Sequence, residues 1–256
     1  MSDFKDEISG RIAAIAADRD LNDAAMTFMR ASTKPQYSYN FLWQGRPIIQ
    51  YPQDMVAMQE LIWDIRPDLI IETGIAHGGS LIFSASLLAL LDMYDAIDGK
   101  TTIDPGKSAR KVLGIDIDIR EHNRKAIEAH PMASRIEMIQ GSSIDDDVVA
   151  QVKAFASGYK RILVCLDSMH THDHVMAELE AYAPLVSVGS YCVVFDTLIE
   201  DMDEDAYPDR PWAIGDNPKT AVHEWIKANS DFEIDKAISN KLLISVAPDG
   251  YLKRIK

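Results

Sequence analysis

Apolar positions follow two kinds of spacing along the chain, and together they predict an alternation of helices and strands. In the first 30 residues, Ile8, Ile12 and Ile15 recur at the spacing of an amphipathic helix. From residue 69 onward, short apolar runs of strand length alternate with stretches of helical spacing. The predicted strands are 69–71, 112–117, 136–139, 162–166, 191–195, 232–234 and 242–246. The predicted helices are 54–65, 79–91, 120–129, 145–156, 173–186 and 218–228.

Apolar strands that alternate with helices are typical of a mostly parallel sheet covered on both faces. We therefore predict a Rossmann-like α/β domain with a seven-stranded sheet over residues 54–256, preceded by an N-terminal helical arm over residues 1–53. The strands 232–234 and 242–246 are close in sequence, so we expect them to pair antiparallel at one edge. Asp54 is expected to cap the helix that follows it.

Composition excludes several classes of protein. The chain has 256 residues, 47% of them hydrophobic and 26% charged, as in ordinary globular proteins. A net charge of −14 argues against binding to a nucleic acid backbone. We expect no membrane span, and residues 1–7 lack the apolar core of a signal peptide, which favours a cytoplasmic location. Cys165 and Cys192 lie in apolar runs, where free buried thiols are expected.

A Gly-rich loop over residues 74–80 follows the first strand of the α/β domain. Gly74 permits a sharp turn, and Gly78 with Gly79 lets the backbone approach a ligand at the start of the next helix. Ser80 is expected to cap that helix. Glycines also close many strand–helix units for structural reasons alone, so the loop by itself indicates only a nucleotide-binding α/β domain.

Polar residues at the next two strand ends favour a ligand that contains a nucleoside. Asp116 and Asp118 follow the second strand, where nucleoside-binding folds hold ribose hydroxyls, and Asp116 is the preferred candidate because it ends the apolar run. Either acid is otherwise a helix cap or a solvated loop residue. Ser142 and Ser143 follow the third strand and suit hydrogen bonds to an adenine edge.

Acidic residues also end the fourth and fifth strands, at Asp167 and Asp196. Neighbouring strand ends bring such carboxylates into one crevice, where they can hold Mg²⁺. His170 is the candidate general base, because histidine titrates near neutral pH. The alternatives are that both acids cap the segments after them, or that His170, His172 and His174 supply a two-histidine iron site. Alternate residues near a helix start converge poorly on one ion, so we expect one functional histidine.

Two loops exceed the usual connection length, at 92–110 and 197–217. The 197–217 loop follows the carboxyl end of a strand, where open α/β sheets bind ligands. We interpret it as a substrate lid, with a passive insertion as the alternative.

Taken together, these segments resemble the bacterial family called cephalosporin hydroxylase, which has the class I methyltransferase fold. Its members include an enzyme of cephamycin biosynthesis and rhamnosyl O-methyltransferases, and many members lie in polysaccharide gene sets. The resemblance spans about residues 35–256. The matching segments are 50–54, 66–74, 78–80, 114–118, 166–168, 195–197 and 217–222.

The resemblance implies that S-adenosylmethionine (SAM) binds at the loop 72–80, which includes Glu72, and at Asp116, and that Mg²⁺ binds Asp167 and Asp196. This chain departs from the family pattern at one position, because metal-binding relatives have a Glu-Asp pair where this chain has Phe195-Asp196. The third ligand is then a water or an acid of residues 197–205.

The leading hypothesis is a SAM-dependent O-methyltransferase acting on a sugar hydroxyl, in a glycan or a nucleotide-linked sugar, with Mg²⁺ and with Asp167 and His170 as catalytic residues. The alternatives are a non-catalytic SAM-binding scaffold and an NAD-linked oxidoreductase. The aromatic N-terminal arm also suits packing against a second copy, so a homo-oligomer is expected.

Overall fold

The structure of the protein is a computed structural model that describes residues 2–256; Met1, the first residue of the charged N-terminal segment, lies outside them. The helices are α1 Ser2–Ala17, α2 Arg19–Thr33, α3 Pro52–Ile65, α4 Gly79–Gly99, α5 Glu121–Glu128, α6 Asp146–Ala156, α7 His172–Tyr182, α8 Pro218–Trp225 and α9 Lys236–Leu242. The strands are β1 Phe41–Trp43, β2 Arg46–Ile48, β3 Leu69–Thr73, β4 Lys111–Asp116, β5 Ile136–Gln140, β6 Ile162–Leu166, β7 Tyr191–Val194, β8 Phe232–Ile234 and β9 Tyr251–Arg254.

Seven strands form the main sheet in the order β5-β4-β3-β6-β7-β9-β8. The first five pair in parallel, and β9 pairs antiparallel with both β7 and β8. The sheet confirms the predicted mostly parallel seven-stranded architecture. Because the order reverses between β3 and β6, their carboxyl ends border the crevice where such folds bind ligands.

Alternate residues of each central strand pack on opposite faces of the sheet. Ile70 of β3 joins the core beneath α3 and α4, whereas Leu69 and Ile71 join the core beneath α6, α7 and α8. All three side chains are buried. Burying a side chain of this size stabilises the fold by about 1.5–3 kcal/mol, so the two-sided burial explains why the strands read as continuous apolar runs.

The predicted strand 242–246 is wrong. Residues 236–242 form α9, and the strand that pairs with β8 is β9, at Tyr251–Arg254. The backbone N–H of Val246 instead donates to the Asp54 carboxylate at 3.0 Å. Gly250 brings the chain to β7, since a Cβ there would lie 2.0 Å from the carbonyl oxygen of Val194. The apolar residues 242–246 therefore belong mainly to a loop that encloses the buried carboxylate of Asp54.

Asp54 does not cap a helix. Helix α3 begins at Pro52, whose fixed backbone angle suits a first turn, with Tyr51 as the N-cap residue. Asp54 is fully buried within the helix and accepts hydrogen bonds from the Ser245 and Tyr251 hydroxyls at 2.6 and 3.0 Å. Burial raises the pKa of this carboxyl to about 6.

The region before α3 consists of α1, α2, a short 3₁₀ turn and the β1–β2 hairpin, which packs on α4. The domain boundary at residue 53 stays a prediction.

Helix α4 runs to Gly99, so the predicted long loop 92–110 is shortened to residues 100–110. Helix α4 is long and apolar enough to cross a membrane, with a mean hydropathy of 1.5, but half of that stretch is buried in the molecule. Buried core helices have the same length and composition.

Candidate functional site

The Gly-rich loop, residues 74–80, lies directly against the end of β6. Gly74 has a φ of +86°, and a Cβ at this position would lie 1.9 Å from the backbone oxygen of Asp167. A Cβ on Gly79 would lie 2.1 Å from the backbone oxygen of Pro47. Both glycines are therefore required by close backbone approach, as well as by the turn at Gly74.

Side chains of β2 and α5 hold this loop. Arg46 of β2 donates to the carbonyl oxygen of His77 at 3.0 Å, and Asn123 of α5 donates to that of Ala76 at 2.9 Å. Neither residue was singled out from the sequence, because nothing in the local pattern around them indicates a partner so distant along the chain. His77 thus contributes its backbone to the loop's support.

Asp116 ends β4 as predicted, but its carboxylate is engaged by backbone groups. One oxygen accepts from the N–H groups of Ile75 and Ala76 at 2.7 and 3.3 Å, and the other accepts from Asp118 N–H at 2.9 Å. Asp118 is exposed beside it. Asp116 therefore joins the Gly-rich loop to β4, and the ribose role of either acid stays a prediction.

Glu72 and Ser80 lie beneath the loop and contact each other. The Glu72 side chain is 4% exposed, and burial raises its pKa to about 7, partly offset by a hydrogen bond from Ser80. Ser80 is inside α4, and the N-cap residue is Gly78, so the predicted capping role of Ser80 is wrong. The two side chains line a small cavity of about 30 Å³ that Asp54, Asp167 and Phe195 also line.

Ser143 belongs to a buried polar network rather than an open ligand surface. Its hydroxyl lies 3.1 Å from His174 Nε2, which lies 3.1 Å from the Ser168 hydroxyl. Ser168 donates to the fully buried Glu178 at 2.7 Å. The neighbouring Ser142 is half-buried, and an adenine contact for either serine stays a prediction.

Asp167, His170 and Asp196, which we call the acid–histidine cluster, meet at the carboxyl ends of β6 and β7. One ligand atom from each residue lies within 4.8 Å of the others, and His170 Nε2 is 3.0 Å from Asp196 Oδ2. Burial, together with the nearby Asp196 and Glu72 charges, raises the pKa of Asp167 well above its ordinary value. The amide of Gln50, a residue the sequence analysis did not single out, donates to Asp167 Oδ2 at 3.3 Å.

The other two histidines of the segment point elsewhere. His172 Nδ1 lies 2.9 Å from the Thr220 hydroxyl and its Nε2 lies 3.5 Å from Glu224, while His174 joins the network with Ser143. The structure therefore brings His170 alone of the three to the two acids. The predicted buried free thiols at Cys165 and Cys192 are confirmed.

A cavity of about 1100 Å³ opens above the acid–histidine cluster and the Gly-rich loop. The N-terminal arm contributes Lys34 and Tyr39 to its wall, and the 197–217 loop contributes Tyr207 and Trp212. The Trp212 ring meets the His170 ring edge-on, with 4.6 Å between centroids. The 197–217 loop thus lies over the acid–histidine cluster, and its role as a substrate lid stays a prediction.

The family model for Rhamnosyl O-methyltransferase/CmcI matches residues 35–255. A rhamnosyl O-methyltransferase of Mycobacterium tuberculosis (strain H37Rv) is 29% identical over 206 residues, which are 78% of this chain and 73% of that protein. The match confirms the family resemblance and the enzyme class inferred from it.

Solved structures support the same fold. A CmcI structure with Mg and SAM is 20% identical, with a TM-score of 0.53 over 85% of this chain and 78% of that one. CalS11, a TDP-rhamnose 3'-O-methyltransferase of calicheamicin biosynthesis, is 16% identical, with a TM-score of 0.51 over 97% of this chain and 93% of that one. The predicted class I methyltransferase fold is confirmed.

Proposed function

The chain belongs to the Rhamnosyl O-methyltransferase/CmcI family of SAM-dependent O-methyltransferases, and on that premise we propose that it methylates a hydroxyl of a sugar, of the rhamnosyl class, in a glycan or a nucleotide-linked sugar. The observation that carries the proposal is the contact of Gly74 with the backbone of Asp167, which joins the Gly-rich loop to the acid–histidine cluster. A methyl donor held by the loop and a hydroxyl held by the cluster would then share one cavity.

The reaction needs little covalent help from the protein. The acceptor oxygen attacks the methyl carbon of SAM in line with the carbon–sulfur bond, that bond breaks, and S-adenosylhomocysteine (SAH) leaves. The hydroxyl proton must pass to a base, and the candidate base is His170, whose Nε2 lies 3.0 Å from Asp196 Oδ2. Orientation of the two reactants supplies most of the rate enhancement in such a displacement.

The donor set of the cluster fits a divalent cation. Asp167 and Asp196 present carboxylate oxygens on neighbouring strand ends, the kind of ligand that Mg²⁺ takes. A bound cation would orient the acceptor hydroxyl and lower its pKa. The CmcI structure that holds SAM also holds Mg.

The cavity gives the proposal its acceptor class. Its volume of about 1100 Å³ has room for a methyl donor and an acceptor together, and its mixed wall of polar residues, tyrosines and Trp212 suits a hydroxyl-rich molecule. Rhamnose is the sugar in the names of both the mycobacterial relatives and CalS11. A role in polysaccharide biosynthesis, a cytoplasmic location and a homo-oligomer stay predictions.

The test combines calorimetry with an acceptor panel. Titration with SAM, SAH and NAD should give binding of the first two only, and SAH release should be seen with rhamnosyl glycosides or TDP-rhamnose. NAD binding without SAM binding would reject the proposal in favour of an oxidoreductase. SAM binding with no SAH release from a broad panel of sugars would favour the non-catalytic scaffold, the second candidate, which Phe195 in place of an acid suggests.

A further inference from the structure

Two buried polar atoms without a hydrogen-bond partner belong to residues that contact the acid–histidine cluster. They are the amide oxygen Oε1 of Gln50 and the indole nitrogen Nε1 of Trp212. Other buried side-chain atoms among residues 2–256 also lack a partner, but only these two belong to residues that line the large cavity. A buried polar group without a partner destabilises a fold, so its presence beside a substrate cavity needs an explanation. A molecule bound in the cavity can bring both missing partners.

The orientation of the Gln50 amide is fixed by Asp167. The amide nitrogen Nε2 donates to Asp167 Oδ2 at 3.3 Å, and the reverse orientation would bring two oxygens together. Oε1 is therefore left as an acceptor that needs a donor, which residues 2–256 do not supply. Gln50 is 8% exposed and lines both the large cavity and the small cavity beneath the Gly-rich loop.

The indole N–H of Trp212 needs the opposite kind of partner. Indole nitrogen only donates, so this group requires an oxygen acceptor. The Trp212 ring is held by the edge-on contact with the His170 ring, and the Arg210 guanidinium lies 5.2 Å from its centroid. These contacts keep Trp212 on the His170 side of the cluster, whereas Gln50 lies on the Asp167 side.

The two atoms are complementary to a molecule that carries several hydroxyls. One atom accepts and the other donates, and a sugar hydroxyl can do both. Neighbouring oxygens of one sugar ring therefore satisfy both atoms at once. A phosphate or carbonyl oxygen that only accepts would leave Gln50 Oε1 unpaired.

We propose that Gln50 and Trp212 determine specificity by recognising the oxygens next to the methylated hydroxyl. A neighbouring hydroxyl donates to Gln50 Oε1, and a neighbouring oxygen accepts from Trp212 Nε1–H. The acceptor is then a sugar with hydroxyls on adjoining carbons, and an alcohol that merely fits the cavity is a poor substrate. The inference rests on the proposed function and adds the chemical groups that must surround the reacting oxygen. His170 remains the candidate base.

The experiment pairs substrate hydroxyls with protein groups. SAH release is measured as kcat/KM in the wild type, Gln50→Met and Trp212→Phe, with p-nitrophenyl rhamnoside and with deoxy analogues that each lack one ring hydroxyl. The analogue that lacks the reacting hydroxyl is inactive in every variant and thereby identifies that hydroxyl. The other analogues report on its neighbours, and a coupling between a substrate hydroxyl and a side chain appears as non-additive losses.

Gln53→Met and Trp225→Phe are the matched controls. Gln53 Oε1 and Trp225 Nε1 are also buried without a partner, but neither residue lines the large or the small cavity. Each control therefore makes the same substitution away from the proposed acceptor. Circular dichroism melting and SAH titration verify that every variant is folded and binds SAH.

In the wild type, loss of a neighbouring hydroxyl should lower kcat/KM by about tenfold or more, because a buried group loses its partner. The same loss should cost Gln50→Met or Trp212→Phe about twofold or less, since the protein group is already absent, and both controls should keep the wild-type loss. Equal losses in the wild type and a variant would overturn the role of that residue and assign its atom to a buried water. If the wild type releases no SAH with any rhamnosyl glycoside, the proposed function is rejected and this inference with it.

Discussion

The proposed cofactor side of the site, formed by β3, β4 and the Gly-rich loop, is built from backbone atoms in close approach, whereas the proposed acceptor side, formed by β6, β7 and the 197–217 loop, presents ionisable side chains. On the first side, Gly74 and Gly79 leave no room for a Cβ, and Asp116 accepts from backbone N–H groups. On the second, ligand atoms of the Asp167, His170 and Asp196 side chains lie within 4.8 Å of one another.

The difference teaches which changes each side tolerates. The geometry of a cradle built from glycines and main-chain atoms depends on close backbone packing. The geometry of a side-chain cluster under a long loop depends on the identity of a few side chains. Substitutions on the first side should therefore disturb folding and SAM binding together, and those on the second should disturb turnover alone.

The largest effect is expected from Asp167→Asn. This change preserves shape and the contact with Gln50 but removes the charge at the centre of the acceptor side. We expect turnover to fall by roughly 10²–10⁴-fold, with SAH affinity retained. SAH release with a rhamnosyl acceptor and SAH calorimetry measure the two effects. Asp173→Asn, at an exposed site on α7, is the control and should behave as the wild type. Unchanged turnover in Asp167→Asn would remove this residue from the mechanism.

On the cofactor side, Gly74→Ala should destabilise the whole domain. The new Cβ would meet the Asp167 backbone and occupy a left-handed conformation, at a combined cost of about 2–5 kcal/mol. Gly189→Ala is the matched control, because Gly189 has a φ of +84° with open space around it and bears the conformational cost alone. Urea unfolding and SAH titration are the measurements. Equal destabilisation in the two variants would mean that the contact with Asp167 is unimportant.

A third prediction concerns the buried acid beside the acceptor side. Burial raises the pKa of Asp54 from 3.8 to about 6, so between these values the folded protein binds the proton more tightly than the unfolded chain does. The free energy of unfolding should therefore fall as pH rises from 4 to 6, by about 2 kcal/mol from this group. Asp54→Asn should remove that part of the slope, and exposed Asp64→Asn on the same helix should retain it. Parallel stability curves for wild type and Asp54→Asn would contradict the prediction.

The smallest effect should come from Trp212, the residue of the 197–217 loop whose ring contacts the His170 ring. Its indole N–H is buried without a hydrogen-bond partner among residues 2–256. Trp212→Ala should raise the acceptor KM by about tenfold or less, the value of one aromatic contact of about 0.5–1.5 kcal/mol, and should leave SAH affinity unchanged. Trp212→Phe, which keeps the ring but not the N–H, should lie between the two. A changed SAH affinity with an unchanged KM would assign Trp212 to the cofactor side instead.

The elements that could be predicted from the sequence are those whose pattern is local. Strands such as Ile162–Leu166 were predicted with the observed bounds, because burial on both faces of a parallel sheet leaves a continuous apolar run. The Gly-rich loop was recognisable because its glycines are adjacent in sequence. Arg46, Asn123 and Gln50 were missed, since each acts on a partner more than 30 residues away along the chain.

By itself, then, the sequence determined the order of helices and strands, the Gly-rich loop and the strand ends that carry Asp116, Asp167 and Asp196, because periodicity and glycine spacing are local properties. Tertiary structure alone decided that the chain turns at Gly250 into the reversed strand β9 and that Asp54 is enclosed by the loop before it. It also decided that His170 meets Asp196, because the distance between two side chains on different strand ends depends on the packing of the whole sheet.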